Sequence, residues 1–207
     1  MKKQIIVAGQ GGQGVLELGN NLCNYELLKG KHVAFTPSYG PESRGGKVKC
    51  YVTTSDEVID SPIVEAPDYL IVMNTASMDY VNLLKPGGKL LMNSSLISQE
   101  SQRTDVQVYK VPATEIAYNL KNLELEGIAD TKISTNSVMF GAYLQFAGEE
   151  FDQEAAHKVF RQSLLGRKAK FEALNMQALI NGYAAARDIL RKRVTVQYPV
   201  VSQENDG

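Results

Sequence analysis

The opening of the chain constrains it most. The apolar run Gln4-Ile5-Ile6-Val7-Ala8 passes directly into Gly9-Gln10-Gly11-Gly12-Gln13-Gly14, after which Val15, Leu16, Leu18, Leu22, Leu27 and Leu28 recur at helical spacing. A short apolar run ending in a turn reads as a buried strand, and recurrence at three and four residues reads as a helix with one buried face. Lys29 stands in the last helical turn, Gly30 stops the helix, and His32 to Phe35 makes a second short strand. Strand, helix and strand in that order require a parallel arrangement with a right-handed crossover, the unit of an α/β sheet.

Between Thr36 and Lys47 the pattern breaks: Pro37, Gly40, Pro41, Gly45 and Gly46 predict a loop. Val48, Cys50 and Val52 alternate with polar residues, as in a half-exposed strand. Tyr69 to Met73 predicts a further strand, followed by a short helix through Leu84. Pro86-Gly87-Gly88 turns into the strand Lys89 to Met92, and Val106, Val108 and Val111 mark a strand near the sheet edge. The remainder is helical, with segments predicted at Ala113 to Leu125, Asn136 to Phe146, Asp152 to Leu165 with Asp152 as N-cap, and about Lys168 to Leu190. The expected architecture is a single Rossmann-like α/β domain over residues 1–192. It has a mostly parallel sheet, helices on both faces and a helical C-terminal part, and a polar tail follows at 193–207.

Composition narrows the function. The 22 basic and 23 acidic residues leave a net charge of −1, which argues against nucleic acid as the main partner. No apolar run approaches the ~20 residues that span a bilayer. Met1-Lys2-Lys3-Gln4 leads straight into a strand without a secretory core, so a cytoplasmic protein is expected. Cys23 and Cys50 form no CxxC pair and are expected as free thiols. An iron–sulfur cluster usually takes four thiolates, and a zinc site needs closely spaced ligands that Cys23, Cys50, His32 and His157 do not supply. No metal is therefore expected on this chain, and any redox metal belongs to another.

Gly9-x-Gly11-x-x-Gly14 has the spacing and context of a phosphate-binding turn, in which glycines let the backbone approach an anion at a helix N-terminus. The dinucleotide form of that turn also wants an Asp or Glu about 20 residues on, at the end of the second strand. Here that strand ends Ala34-Phe35-Thr36-Pro37, and the nearest acid is Glu42, two residues from Arg44. NAD binding loses its main support. Two readings stay open: Gly9, Gly11, Gly12, Gln13 and Gly14 hold an anion, or they only let a helix or a neighbouring subunit pack closely.

The Pro/Gly stretch emerges at the carboxyl edge of the sheet, where α/β proteins bind ligands. Ser38, Tyr39, Arg44, Gly45 and Gly46 are candidate contacts there; the structural alternative pairs Arg44 with Glu42. Asn74 and Asn93 end two later strands at the same rim, as contacts or as caps. No strong general base stands among them, so no catalytic residue is assigned.

The turn Gly9 to Val15 and the stretch Pro37-Ser38-Tyr39-Gly40-Pro41-Glu42-Ser43-Arg44-Gly45-Gly46 together resemble the gamma subunit, or gamma domain, of 2-oxoacid:ferredoxin oxidoreductases. The resemblance continues through Pro67-Asp68, Leu84 to Gly88, Asn93-Ser94-Ser95, Thr135 to Ala142, and Asn175, Ala178 and Gly182. It implies oxidative decarboxylation of a 2-oxoacid to an acyl-coenzyme A by a complex of this chain with alpha and beta subunits and a ferredoxin-like delta subunit, with ferredoxin as acceptor. Thiamine diphosphate and iron–sulfur clusters are implied on the partner chains. Of cofactors, only a share in coenzyme A binding falls to this one. The Pro-Ser-Tyr-Gly-Pro-Glu form is closer to the branch acting on 2-oxoglutarate, and an isolated chain is expected to form a homodimer over its uncovered apolar surface.

Overall fold

In the computed structural model, which describes residues 2–40, 46–123, 128–164 and 166–197, six strands form one sheet. They are β1 (Lys3–Gln10), β2 (His32–Tyr39), β3 (Lys47–Ser55), β4 (Tyr69–Val72), β5 (Lys89–Asn93) and β6 (Gln107–Val111). Their order is β2-β3-β1-β4-β5-β6. β1, β4, β5 and β6 pair in parallel, and β3 runs antiparallel between β1 and β2. The sheet is mostly parallel, as expected.

One local reading changes. β2 does not stop at Phe35 but continues through Pro37 to Tyr39, registered against Tyr51 to Val48. An edge strand tolerates a residue without N–H, which is why Pro37 does not end it. β3 shows the expected half-exposed alternation from Val48 to Val52, with Cys50 and Val52 fully buried under the helix that follows β1 and Lys49 and Tyr51 less so, and only from Thr53 on are both faces covered.

The α-helices are α1 (Val15–Leu28), α2 (Ala113–Asn119), α3 (Thr135–Phe146), α4 (Gln153–Ser163) and α5 (Glu172–Gln197). α2 is shorter than predicted and passes into a 3₁₀ segment, Leu120–Leu123; Leu125 and Leu165 lie outside the described residues. α5 begins after a 3₁₀ segment, Gly166–Phe171, and runs to Gln197, past the expected boundary at 192; residues 198–207 lie outside the described residues. The predicted cap of α4 forms, with Asp152 Oδ1 accepting from Ala155 N at 2.9 Å.

Alternation along the strands divides the core in two. Ile5, Val7, Ile71, Leu91 and Tyr109 face the layer of α-helices, while Ile6, Ala8, Leu70, Val72 and Met92 face a smaller core closed by the 3₁₀ segment Thr75–Leu83. Helices thus lie on both faces, very unequally. α3 is buried nearly all round and sets its aromatics against the sheet. Phe140 meets Tyr25 edge-on at 5.6 Å, Tyr143 meets Tyr69 at 5.2 Å, and Phe146 stacks on Tyr109 at 4.1 Å. α5 crosses α3 at a point where each helix offers a glycine to the other's backbone. A Cβ at Gly141 would strike the carbonyl of Leu179, and one at Gly182 that of Val138.

Charge gathers at the amino edge. Glu149 receives Lys3, Lys29 (2.6 Å) and Lys31 (3.4 Å), and Lys31 also pairs with the buried Glu26 at 2.6 Å. This fan ties the start of β1 to the ends of α1 and α3. Burial alone would raise the Glu149 carboxyl, but hydrogen bonds from Lys29 and Lys3 outweigh it and hold it at about 2, against an ordinary 4.5.

Two outcomes follow from these contacts. Gly141→Ala is expected to lower stability by about 2 kcal/mol or more, since the clash is with backbone and cannot be relieved by a rotamer; a urea titration measures it. The depressed Glu149 carboxyl contributes stability that is complete above pH 4.5 and is lost as pH falls toward about 2. Glu149→Gln should therefore cost about 1–2 kcal/mol at pH 7, the full shift being reduced by solvent screening of a partly buried group, and flatten the acid limb of a stability-against-pH curve.

Candidate functional site

β1, β2, β4 and β5 all end at one edge, so Gln10, Tyr39, Asn74 and Asn93 stand along a single rim with the start of β3 among them. The glycine turn there is folded by one amide. Gln13 Oε1 accepts from Gln10 N at 2.8 Å and from Asn74 Nδ2 at 3.0 Å, while Gln13 N donates back to Gln10 O at 3.1 Å. Asn74 in turn caps the 3₁₀ segment, its Oδ1 accepting from Ser77 N at 3.1 Å and Ser77 Oγ at 2.8 Å. Gly11 N donates to Gly46 O at 3.0 Å, fastening the turn to β3.

Gly12 (φ 96°) and Gly14 (φ 70°) hold left-handed conformations that side chains disfavour. Gly14 is the N-cap of α1 and carries no side chain, so the first N–H groups of that helix receive no side-chain cap. Gly11 and Gly12 are exposed, and Gln13 and Gly14 partly so. Asn136, in the first turn of α3, packs directly on Gly14 and fills the space a Cβ would need. α3 also begins at the turn, but it continues a 3₁₀ turn, Thr131–Ser134, capped by Asp130, and its first amides are taken, Thr135 N donating to Lys132 O and Ser137 N to Asn136 Oδ1 at 2.9 Å. The positive end of the α1 dipole faces the turn. Glu17 in the first turn of α1 offsets part of that positive field.

Asn136 was not singled out as a rim residue from sequence. Its block, Thr135-Asn136-Ser137, carries no local motif that places it against a turn more than a hundred residues earlier.

The other candidates are distributed unevenly. Ser38 and Tyr39 close β2, and Tyr39 is 68% exposed. Gly46 stands beside Gly11. Arg44 and Gly45, with Pro41, Glu42 and Ser43, lie outside the described residues. Asn93 is wholly buried below the rim, its Nδ2 donating to Thr114 Oγ1 at 2.9 Å and Met73 O at 3.3 Å, so it secures α2 to the ends of β4 and β5.

A dinucleotide site expects its ribose-binding acid on the strand beside β1. Here that neighbour is β3, whose rim residue Lys47 registers with Gln10 and pairs with Asp79 at 2.5 Å. β2 stands two strand spacings away, roughly 10 Å. The residue that flanks the turn from the neighbouring strand is thus a lysine held in an ion pair, not an acid. Burial pushes the thiols of Cys23 and Cys50 up to about 12, so neither is a nucleophile near neutral pH. His157 Nδ1 meets Glu172 at 3.0 Å on the outer helices, and His32 is exposed. Among the described residues no three His, Cys, Asp or Glu side chains are grouped to hold a metal ion. The rim is a set of backbone donors able to hold an anion.

Residues 4–185 match the family described as pyruvate ferredoxin/flavodoxin oxidoreductase. The chain is 32% identical over 186 residues to ketoisovalerate oxidoreductase subunit VorA of Methanothermobacter thermautotrophicus, covering 89% of this chain but 36% of that one. It thus spans about a third of the VorA polypeptide. It is 34% identical to 2-oxoglutarate synthase subunit KorC of Methanocaldococcus jannaschii, across 91% of this chain and 96% of that subunit. The crystal structure of the gamma subunit of a keto/oxoacid ferredoxin oxidoreductase from Geobacter sulfurreducens superposes with a TM-score of 0.74 at 28% identity, over 91% of this chain and 98% of that one.

Gln13→Ala removes the acceptor that Gln10 N and Asn74 Nδ2 share. It is expected to cost about 1–2 kcal/mol and to speed hydrogen exchange at the Gln10 amide selectively, with amides at the amino end of β1 unchanged. Equal exchange at Gln10 in both proteins would mean that the turn holds its shape without that side chain.

Proposed function

Since the chain belongs to the pyruvate ferredoxin/flavodoxin oxidoreductase family, we propose that it is the gamma subunit of a 2-oxoacid:ferredoxin oxidoreductase complex and that its rim helps to hold coenzyme A. The observation that carries this is the glycine turn at the N-terminus of α1, without a side-chain cap and exposed at the carboxyl edge, with the Lys47–Asp79 pair beside it. Backbone N–H groups in that setting suit a pyrophosphate. Arg44 would add a planar fork for a further phosphate oxygen.

The complex would decarboxylate a 2-oxoacid oxidatively, pass two electrons to ferredoxin and release acyl-coenzyme A. Thiamine diphosphate would supply the carbon chemistry from the alpha and beta chains, and iron–sulfur clusters on partner chains would carry the electrons. This chain's part is to bind and orient. Similarity to KorC along nearly its whole length supports 2-oxoglutarate as the substrate. A freestanding dinucleotide-binding oxidoreductase is the rival, and the cation at the place of the ribose-binding acid speaks against it.

Mass spectrometry of what co-purifies with the native chain should find the alpha and beta chains, with thiamine and iron in the same fractions. In that complex Arg44→Ala is expected to raise the Michaelis constant for coenzyme A about tenfold with little change in kcat, and Glu17→Gln to lower it by removing a like charge at α1. A constant unmoved in both variants leaves the chain a scaffold. Micromolar binding of NAD(H) by the isolated chain would instead establish the rival.

A further inference from the structure

The second face of the sheet is covered incompletely. The 3₁₀ segment Thr75–Leu83 packs on β1 and β4 and reaches the start of β3 only through Asp79 and Tyr80, and among the described residues no helix covers β2 on that side. There Ser38 registers with Lys49 and Thr36 with Tyr51. Lys49 is partly buried yet meets no carboxylate among the described residues. Its ammonium is held between rings, 4.6 Å from the centroid of Tyr80 and 5.4 Å from that of Tyr51. Beside it a cavity of about 270 Å³ opens, lined by Thr36, Tyr51, Pro62, Ile63 and Val64. A second cavity, of about 400 Å³, shares Ile63, which is itself 68% exposed.

We propose that this face is the seat of a partner subunit, through a segment that brings an Asp or Glu to Lys49 and an apolar side chain to the cavity at Ile63. Charge selects that occupant. A cation fixed by two aromatic rings keeps its position without a counter-ion, so it is ready for an acid from outside. The flanking cavity and Ile63 offer the desolvated ground that makes such a pair count. Lys47 does not compete, because Asp79 pairs with it. A small anion alone would leave Ile63 in water, which favours a polypeptide. This rests on the reading of the chain as a subunit and names where it docks.

The test compares amine acetylation at Lys49, by mass spectrometry, in the isolated chain and in the native complex. Lys49 should lose about tenfold or more of its reactivity on assembly. Lys49→Glu and, separately, Ile63→Asp should weaken the assembly by about 30-fold or more while the isolated variants keep the wild-type circular dichroism. Lys49 equally reactive in both states overturns the docking face and leaves the subunit reading intact. So do two folded variants that assemble as tightly as the wild type. If no other chain co-purifies, both fall together. The footprint uses the unaltered protein, so it decides the matter even if a variant fails to fold.

Discussion

Burial of β1 on both faces is the constraint from which the rest follows. Ile5, Ile6, Val7 and Ala8 are wholly enclosed, so neither face of the strand can tolerate a slip of register. Once its position is set, Gln10 must emerge at the carboxyl edge, and the glycine turn must bring the chain back over the sheet as α1. The turn's own polar atoms are then satisfied within a few residues, through Gln13 and Asn74. What is left over is the row of uncapped N–H groups at the start of α1.

The two edges of the sheet divide the work. Side-chain charge is concentrated at the amino edge, where Glu149 gathers three lysines and joins the two ends of the helical layer to β1. Tyr25 adds to the same seam, its hydroxyl donating to Glu150 O at 3.1 Å and accepting from Asp152 N at 2.9 Å. The carboxyl edge is held mostly by neutral amides. Substitutions at the first edge act on the seam between the helical layer and β1, while those at the second act on the local shape of the glycine turn.

Much of this was legible in the sequence where the signal is local. The run Gln4 to Ala8, the glycines after it and the stop at Gly30 specify strand, turn and helix from neighbouring residues alone. Asp152 announced its own cap. What escaped depends on distant pairing. Pro37 reads as a loop residue until β2 is known to be an edge strand. Gly141 and Gly182 look like weak points in two helices, although each is required by the backbone of the other. Asn136 belongs to the rim only because α3 begins where α1 begins, a fact of packing that no short window contains.

The antiparallel strand explains why a turn with dinucleotide spacing stands in a chain without the dinucleotide acid. In a doubly wound sheet the strand after the first crossover lies beside the first, and its end meets the ribose. Here the crossover skips one position and β3 returns into the gap, so the residue beside the turn comes from the beginning of a strand. That residue is Lys47, and its sign is opposite. The hairpin that supplies it also widens the sheet so that the 3₁₀ segment meets β3 only through Asp79 and Tyr80, and among the described residues no helix covers β2 on the second face. A single topological change thus places the Lys47–Asp79 pair, not a lone acid, beside the turn, and by the same step sets β2 at the edge of the sheet.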